Sequence, residues 1–113
     1  MEVQEGVKKS DFFLKKLYDL LEKNNIKSYL IIYPWPTQVF YGDAKHQIYW
    51  ENFSTENKLN FINLYDQFES KNKRKFILDN FIYGDIHWNK EGTIRIFNGL
   101  DKKGVFEEIN SSK

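Results

Sequence analysis

The spacing of apolar side chains along the chain predicts a helix followed by a buried strand. Over residues 11–23 apolar side chains recur at helical spacing, and Ser10 stands where it would cap the first turn. Residues 26–33 are mostly β-branched or aromatic and end in a continuous apolar run, which is typical of a strand buried on both faces. A helix followed by such a strand indicates an α/β layered domain.

A second passage of the same kind follows. Pro34 and Pro36 end the strand, because proline donates no ladder hydrogen bond. Downstream, the pattern predicts a helix over 45–54, a strand over 58–63, a loop over 65–68, a short helix around 76–82 and a last helix from Lys90 to just before Gly104. Residues 107–113 are expected to form a frayed tail.

The pattern predicts only two strands. Buried parallel strands normally belong to a larger sheet that is covered on both faces. Residues 1–113 therefore read as one domain, with an incomplete parallel sheet between helical layers. The alternative is a small independent α/β domain whose aromatic side chains, 18% of the chain, seal both faces of the sheet.

Composition excludes several classes of partner and chemistry. Seventeen basic residues nearly balance sixteen acidic ones, so no overall field attracts nucleic acid or an anionic membrane. Absence of cysteine removes disulfides, thiolate zinc sites and cysteine nucleophiles together. No apolar run approaches the roughly 20 residues of a membrane span, and the first residues lack the apolar core of a signal peptide. The cellular compartment stays open, since a parent protein could be exported through a signal outside this sequence.

The segment with the clearest chemical potential is Gly84-Asp85-Ile86-His87-Trp88-Asn89-Lys90-Glu91-Gly92. Imidazole acts as a general base when a carboxylate accepts the hydrogen bond of Nδ1, which fixes the tautomer and stabilises the imidazolium. Asp85 and His87 have this chemistry, and two residues apart in an extended loop their side chains leave the backbone on the same side. Asn89 is expected to cap the following helix.

This segment resembles the final block of the SGNH (GDSL-like) hydrolases, in which an aspartate shortly precedes the catalytic histidine and a glycine precedes the last helix. The usual Asp-x-x-His spacing is Asp-x-His here. The run Tyr33-Pro34-Trp35-Pro36 and the blocks at 50–53 and 60–63 also resemble one branch of that family. The resemblance spans about residues 11–100 and implies a flavodoxin-like three-layer α/β/α fold, of which this chain would be the C-terminal part.

The same resemblance implies hydrolysis of acyl or acetyl esters, for example on a carbohydrate, without a metal or organic cofactor. His87 would be the general base and then the general acid, and Asp85 would orient it. Trp35 and Trp88 would line the substrate cleft, or equally plug the core. The family's Gly-Asp-Ser nucleophile and oxyanion blocks are absent, and none of the six serines has such a context. The chain alone is therefore expected to be inactive.

Two other interpretations remain open. The first is a non-catalytic interaction or carbohydrate-binding domain that keeps a relic of an active-site loop. It predicts that Asp85 and His87 are replaceable without loss of binding. The second is a metal-dependent hydrolase that uses His46, Asp85 and His87 as ligands, although this spacing matches no metal motif. Otherwise His46 is expected to be a surface residue without a role.

Overall fold

A computed structural model describes residues 3–111. These residues form six α-helices and two strands, with bounds α1 Val3–Lys23, β1 Leu30–Ile32, α2 Pro36–Tyr41, α3 Lys45–Glu56, β2 Phe61–Asn63, α4 Lys73–Asn80, α5 Lys90–Lys102 and α6 Val105–Ser111. A short 3-10 helix, Tyr65–Phe68, follows β2.

The fold is mostly helical, and the expectation of a three-layer flavodoxin-like α/β/α fold is wrong. Helices account for 65% of the chain, and the sheet has only two parallel strands. Each strand has three residues, with Leu30 opposite Phe61 and Ile32 opposite Asn63. Pairing starts at Leu30, whose N–H donates to Asn60 O at 2.8 Å. Residues 26–29 precede this first ladder bond, so the strand predicted over 26–33 is much shorter.

The two faces of the short sheet are covered by different parts of the chain. On one side β1 and β2 contact α3. On the other, Ile62 and Ile31 pack against a core shared by α2, α4, α5, α6 and the 3-10 helix. The buried side chains of that core are Val39, Ile62, Leu64, Phe68, Phe76, Phe81, Ile96 and Val105. Burial on both faces was predicted for β1 from its apolar run, but only Ile32 is buried, and Leu30 and Ile31 are half-buried.

Helix α2 differs from the sequence prediction, which ended β1 at the prolines and assigned no helix there. Pro36 is the first residue of α2, where its missing N–H would have no intrahelical partner and its fixed φ suits the helix. Trp35 is extended, as a residue before proline prefers, and its N–H donates to Gln38 Oε1 at 2.8 Å. Pro34 thus stands just after the end of β1 at Ile32, and Pro36 starts a helix.

Both ends of the described chain are more helical than predicted. Helix α1 begins at Val3 rather than near Asp11, so Ser10 lies inside the helix and does not cap it. Helix α6 replaces the expected frayed tail through Ser111, because Val105 is buried and Phe106 stacks on Phe97 at 5.0 Å. The last two residues of that predicted tail lie outside the described residues. Residues 65–68, predicted as a loop, form the 3-10 helix.

Candidate active-site loop

A tight turn between α4 and α5 presents Asp85 and His87. Phe81 and Trp88 form an antiparallel bridge at its base, and Ile82 N–H donates to His87 O at 2.9 Å. The tip closes when Asp85 N–H donates to Ile82 O at 3.0 Å. Gly84, the third residue of this turn, has φ +74°, a conformation that favours glycine. The turn therefore fixes where the side chains of Asp85 and His87 leave the backbone.

The Asp85 carboxylate is held by its own loop. Its Oδ1 accepts hydrogen bonds from Ile86 N–H at 2.6 Å, from His87 N–H at 3.1 Å and from the His87 ring Nδ1 at 2.6 Å. The bond from the ring lowers the pKa of Asp85 below its usual value, and the backbone N–H groups add to this effect. Asp85 is therefore a fixed anion that orients the imidazole.

The His87 ring is oriented but uncovered. The Asp85 anion only accepts hydrogen bonds, so the neutral ring carries its proton on Nδ1 and leaves the lone pair on Nε2. Within residues 3–111 no hydrogen bond occupies Nε2. The His87 side chain is 75% exposed and that of Asp85 is 44% exposed. The arrangement is an oriented imidazole whose unprotonated nitrogen has no hydrogen-bond partner among the described residues.

Helix α5 and the buried Asn80 at the end of α4 hold the base of the loop in place. Asn89 caps α5, as predicted, by accepting from Gly92 N–H at 3.0 Å, and its own N–H donates to Asn80 O at 3.1 Å. Asn80 is buried and accepts from Arg95 Nε at 3.0 Å. A Cβ on Gly92 would come within 2.1 Å of Asn80 O. Glycine at position 92 is thus required by the close packing of α5 against the end of α4.

The two tryptophans proposed to line a substrate cleft lie in different surroundings. Trp88 packs against the core, and its ring contacts that of Tyr33 at 4.3 Å. Trp35 is half exposed and lines a cavity beside β1 together with His46 and Trp50. Tyr33, the residue directly after β1, was named from the sequence only as part of the Tyr-Pro-Trp-Pro run and was given no role. Its ring contact connects the end of β1 to the residue that follows His87.

The remaining candidates do not join this loop. His46 lies on α3 and lines the cavities beside β1 and beside α1. Within residues 3–111 no group of three or more potential metal-ligating side chains is placed to hold an ion. Among the serines, Ser54 is buried in α3 and Ser10 lies within α1, whereas Ser112 lies outside the described residues. None of the helices of the described part of the chain is long and apolar enough to cross a bilayer.

No protein-family model, curated protein or solved structure matches this chain.

Proposed function

We propose that Asp85 and His87 form the carboxylate and imidazole half of a Ser-His-Asp ester hydrolase of the SGNH type. The observation that carries the proposal is the 2.6 Å contact between Asp85 Oδ1 and His87 Nδ1, with Nε2 left free. A serine and the oxyanion donors would come from a polypeptide segment that this sequence does not include. The substrate class is an acyl or acetyl ester, for example an acetylated carbohydrate.

In this reaction Nε2 of His87 takes the proton of the serine hydroxyl as the serine oxygen attacks the ester carbonyl. The tetrahedral intermediate collapses to an acyl-serine, and Nε2 returns the proton to the departing alkoxide, which leaves as an alcohol. Water then attacks the acyl-serine while Nε2 takes a proton from the water, and Nε2 returns that proton to the serine oxygen as the acyl–oxygen bond breaks and the acid leaves. Asp85 stays ionised throughout and stabilises the imidazolium that forms twice in the cycle.

The exposure of Asp85 and His87 is consistent with a catalytic site that still lacks its serine and oxyanion donors. Charged pairs in open solvent interact weakly, and ester hydrolysis by a triad benefits from an environment that excludes water. A polypeptide that brings the serine would also cover the ring, and the same contact would strengthen the bond between Asp85 and His87.

The nucleophilic reactivity of the His87 imidazole can be measured on this chain without any added segment. Exposed imidazole attacks 4-nitrophenyl acetate, and both histidines are exposed. We expect His87→Ala to remove most of the histidine-dependent rate, because the Asp85 carboxylate raises the nucleophilicity of Nε2. His46→Ala is the matched control and should leave most of that rate. Equal losses in the two variants would show that Asp85 does not activate His87.

The complete reaction requires a chain extended by a segment with a Gly-Asp-Ser block. Ester hydrolysis by that protein should fall about 10⁴-fold or more in His87→Ala. Full activity in this variant would discard the triad assignment and leave the interaction-domain alternative.

A further inference from the structure

Arg95 carries a positive charge that no carboxylate pairs with in the described part of the chain. Its side chain is partly buried, and its hydrogen bonds go to neutral groups. Nε donates to Asn80 Oδ1 at 3.0 Å, and Nη1 donates to Gln67 O at 3.2 Å. Removing a charge from water costs free energy when no opposite charge accompanies it. An anion bound beside Arg95 would therefore be held by a cation that has no other counter-charge.

The guanidinium group of Arg95 is held in one orientation. Two hydrogen bonds fix its Nε and Nη1, and its central carbon Cζ lies over the Phe76 ring, 4.7 Å from the ring centroid. Within residues 3–111 no acceptor takes a hydrogen bond from Nη2, so both N–H groups of that atom are free. A guanidinium that is already fixed loses little conformational freedom when a ligand binds, so its free donors are pre-organised.

Arg95 lines an open cavity of about 600 Å³ beside α4 and α5. Asn98 and Lys102 line the same cavity, and their spacing of three and seven residues from Arg95 places them on its face of α5. Helical side chains lean toward the helix N-terminus, so those of Asn98 and Lys102 lean toward Arg95. Neither has a side-chain hydrogen bond or ion pair to another described residue. Three donor side chains, two of them cationic, therefore line one cavity.

The two carboxylates that line this cavity do not pair with its cations. Asp79 is paired with Lys75 at 2.5 Å. Glu91 precedes Arg95 by four residues on α5, a spacing that commonly gives an ion pair, but no ion pair joins the two. The Glu91 side chain leans toward the start of α5, away from Arg95. The positive charges of Arg95 and Lys102 thus exceed the one carboxylate that is left.

We propose that the cavity beside Arg95, Asn98 and Lys102 binds the phosphate group of a phosphate monoester. Such a group carries almost two negative charges at pH 7 and three terminal oxygens, which match two cations and three donor side chains. A carboxylate carries one charge and two oxygens, and it would leave one cation without a partner. Ile94 and Phe76 also line the cavity, and its volume exceeds that of a phosphate group, which leaves room for the rest of the ester.

This phosphate site is independent of the proposed ester hydrolase site. Neither Asp85 nor His87 is among the residues that line the cavity. Methyl phosphate binding should therefore be unchanged in His87→Ala, and loss of binding in that variant would contradict the location of the site. The whole chain has a formal net charge of only +1, so anions are not attracted to it in general.

An NMR titration with methyl phosphate tests the proposal, because this compound presents the monoester group and little else. The signals of the Arg95 Nε–H and of the Asn98 side-chain amide should shift to saturation. Dimethyl phosphate and acetate are monoanions, and each should bind about tenfold more weakly, because one charge-assisted contact is lost. Equal binding of either monoanion, or no saturable shift with methyl phosphate, would overturn the proposal.

Four variants test which side chains hold the phosphate. Lys102→Ala should weaken methyl phosphate binding about tenfold. Lys90→Ala is the matched control, since it removes the same charge from an exposed position of α5 outside the cavity. Arg95→Lys keeps the charge but removes Nη2 and should weaken binding at least as much, with far-UV circular dichroism to show that the variant folds. Asn98 is exposed, so Asn98→Ala tests a donor without disturbing the core and should also weaken binding. Equal losses in Lys102→Ala and Lys90→Ala would reject the site.

Removal of the Glu91 carboxylate tests the sign of the ligand's charge. Glu91→Gln should bind methyl phosphate at least as tightly as wild type, because the variant lacks a negative charge that repels the phosphate. Weaker binding in Glu91→Gln would be contrary to the proposal.

Vesicles of phosphatidylcholine with phosphatidic acid distinguish a lipid headgroup from a soluble ester as the source of the phosphate. Sedimentation of the chain with these vesicles, prevented by Lys102→Ala but not by Lys90→Ala, would support the site with a lipid headgroup as its ligand. Methyl phosphate binding without sedimentation would support the site with a soluble ester. Sedimentation that both variants reduce equally would indicate attraction to the membrane surface and count against the site.

Discussion

The relation between Asp85 and His87 is local, and this is why the sequence revealed it. Both side chains belong to one turn, and the carboxylate is fixed by N–H groups of Ile86 and His87 as well as by the ring. The shortened spacing relative to the family pattern still allows the contact. What sequence could not provide is the exposure of the pair, which depends on whatever covers the loop.

The lowered pKa of Asp85 has a consequence for stability. A carboxyl group whose pKa is lower in the folded than in the unfolded state stabilises the fold above its unfolded pKa. That contribution is lost as pH falls through the folded pKa. We expect urea unfolding to show wild type more stable than Asp85→Asn at pH 7, with the difference vanishing at a pH below the lowered pKa. A difference that persists unchanged into acid would contradict the assigned ionisation.

Ser54 offers a second residue-scale prediction. Its hydroxyl is buried on α3 and has no hydrogen-bond partner among the described residues. An unsatisfied buried hydroxyl costs free energy, so Ser54→Ala should raise the free energy of unfolding by about 1 kcal/mol. Thr55→Ala is the control on the same helix, since the Thr55 hydroxyl is exposed and bonds Glu51 O. Destabilisation by Ser54→Ala would indicate a partner that this structure does not contain.

At the scale of elements, the cap of α5 connects helix stability to the loop that holds Asp85 and His87. Gly92→Ala would force a Cβ to within 2.1 Å of Asn80 O, a backbone atom that cannot swing aside. We expect a loss of about 3 kcal/mol in the free energy of unfolding, measured by chemical denaturation. Thr93→Ala, at the next and exposed position, is the control and should change stability by less than about 1 kcal/mol. Equal effects in the two variants would show that α4 and α5 are not this closely packed.

The sequence predicted some elements well and others poorly, for physical reasons. Helix α5 was predicted because Asn89 is a strong cap and apolar spacing follows it. Helix α2 was missed because Pro36 is both a strand terminator and a favoured first residue of a helix. Helix α6 depends on distant contacts: Glu108 accepts a hydrogen bond from the Tyr29 hydroxyl at 2.7 Å and pairs with Lys27. Contacts between residues so far apart leave no periodic signal in the sequence.

The extent of β1 shows the same limit. Its apolar run predicted a strand correctly, but the run cannot show how many residues find a ladder partner. The structure pairs only three residues on each strand. The sheet predicted from burial patterns consequently exists only as a two-stranded sheet, and helices dominate the fold.

At the scale of the whole molecule, the core that stabilises the fold and the most exposed apolar side chains lie in different elements. Leu64 is completely buried in the core, whereas Leu17 on α1 is about half exposed. Leu64→Ala should reduce the free energy of unfolding by about 3 kcal/mol or more. Leu17→Glu should change it by less than about 0.5 kcal/mol, because the side chain is about half exposed on a helix that buries none of its residues. Chemical denaturation measures both, and a large loss from Leu17→Glu would mean that the Leu17 side chain is packed more tightly than its exposure indicates.

The account depends on an imidazole that Asp85 holds in one tautomer with Nε2 free. Long-range ¹H–¹⁵N NMR of the two histidine rings, at a pH where they are neutral, measures this directly. We predict that His87 carries its proton on Nδ1, and that Asp85→Asn changes the tautomer balance at His87 and leaves His46 as it was. A His87 ring protonated on Nε2, or one indifferent to Asp85→Asn, would contradict the central claim.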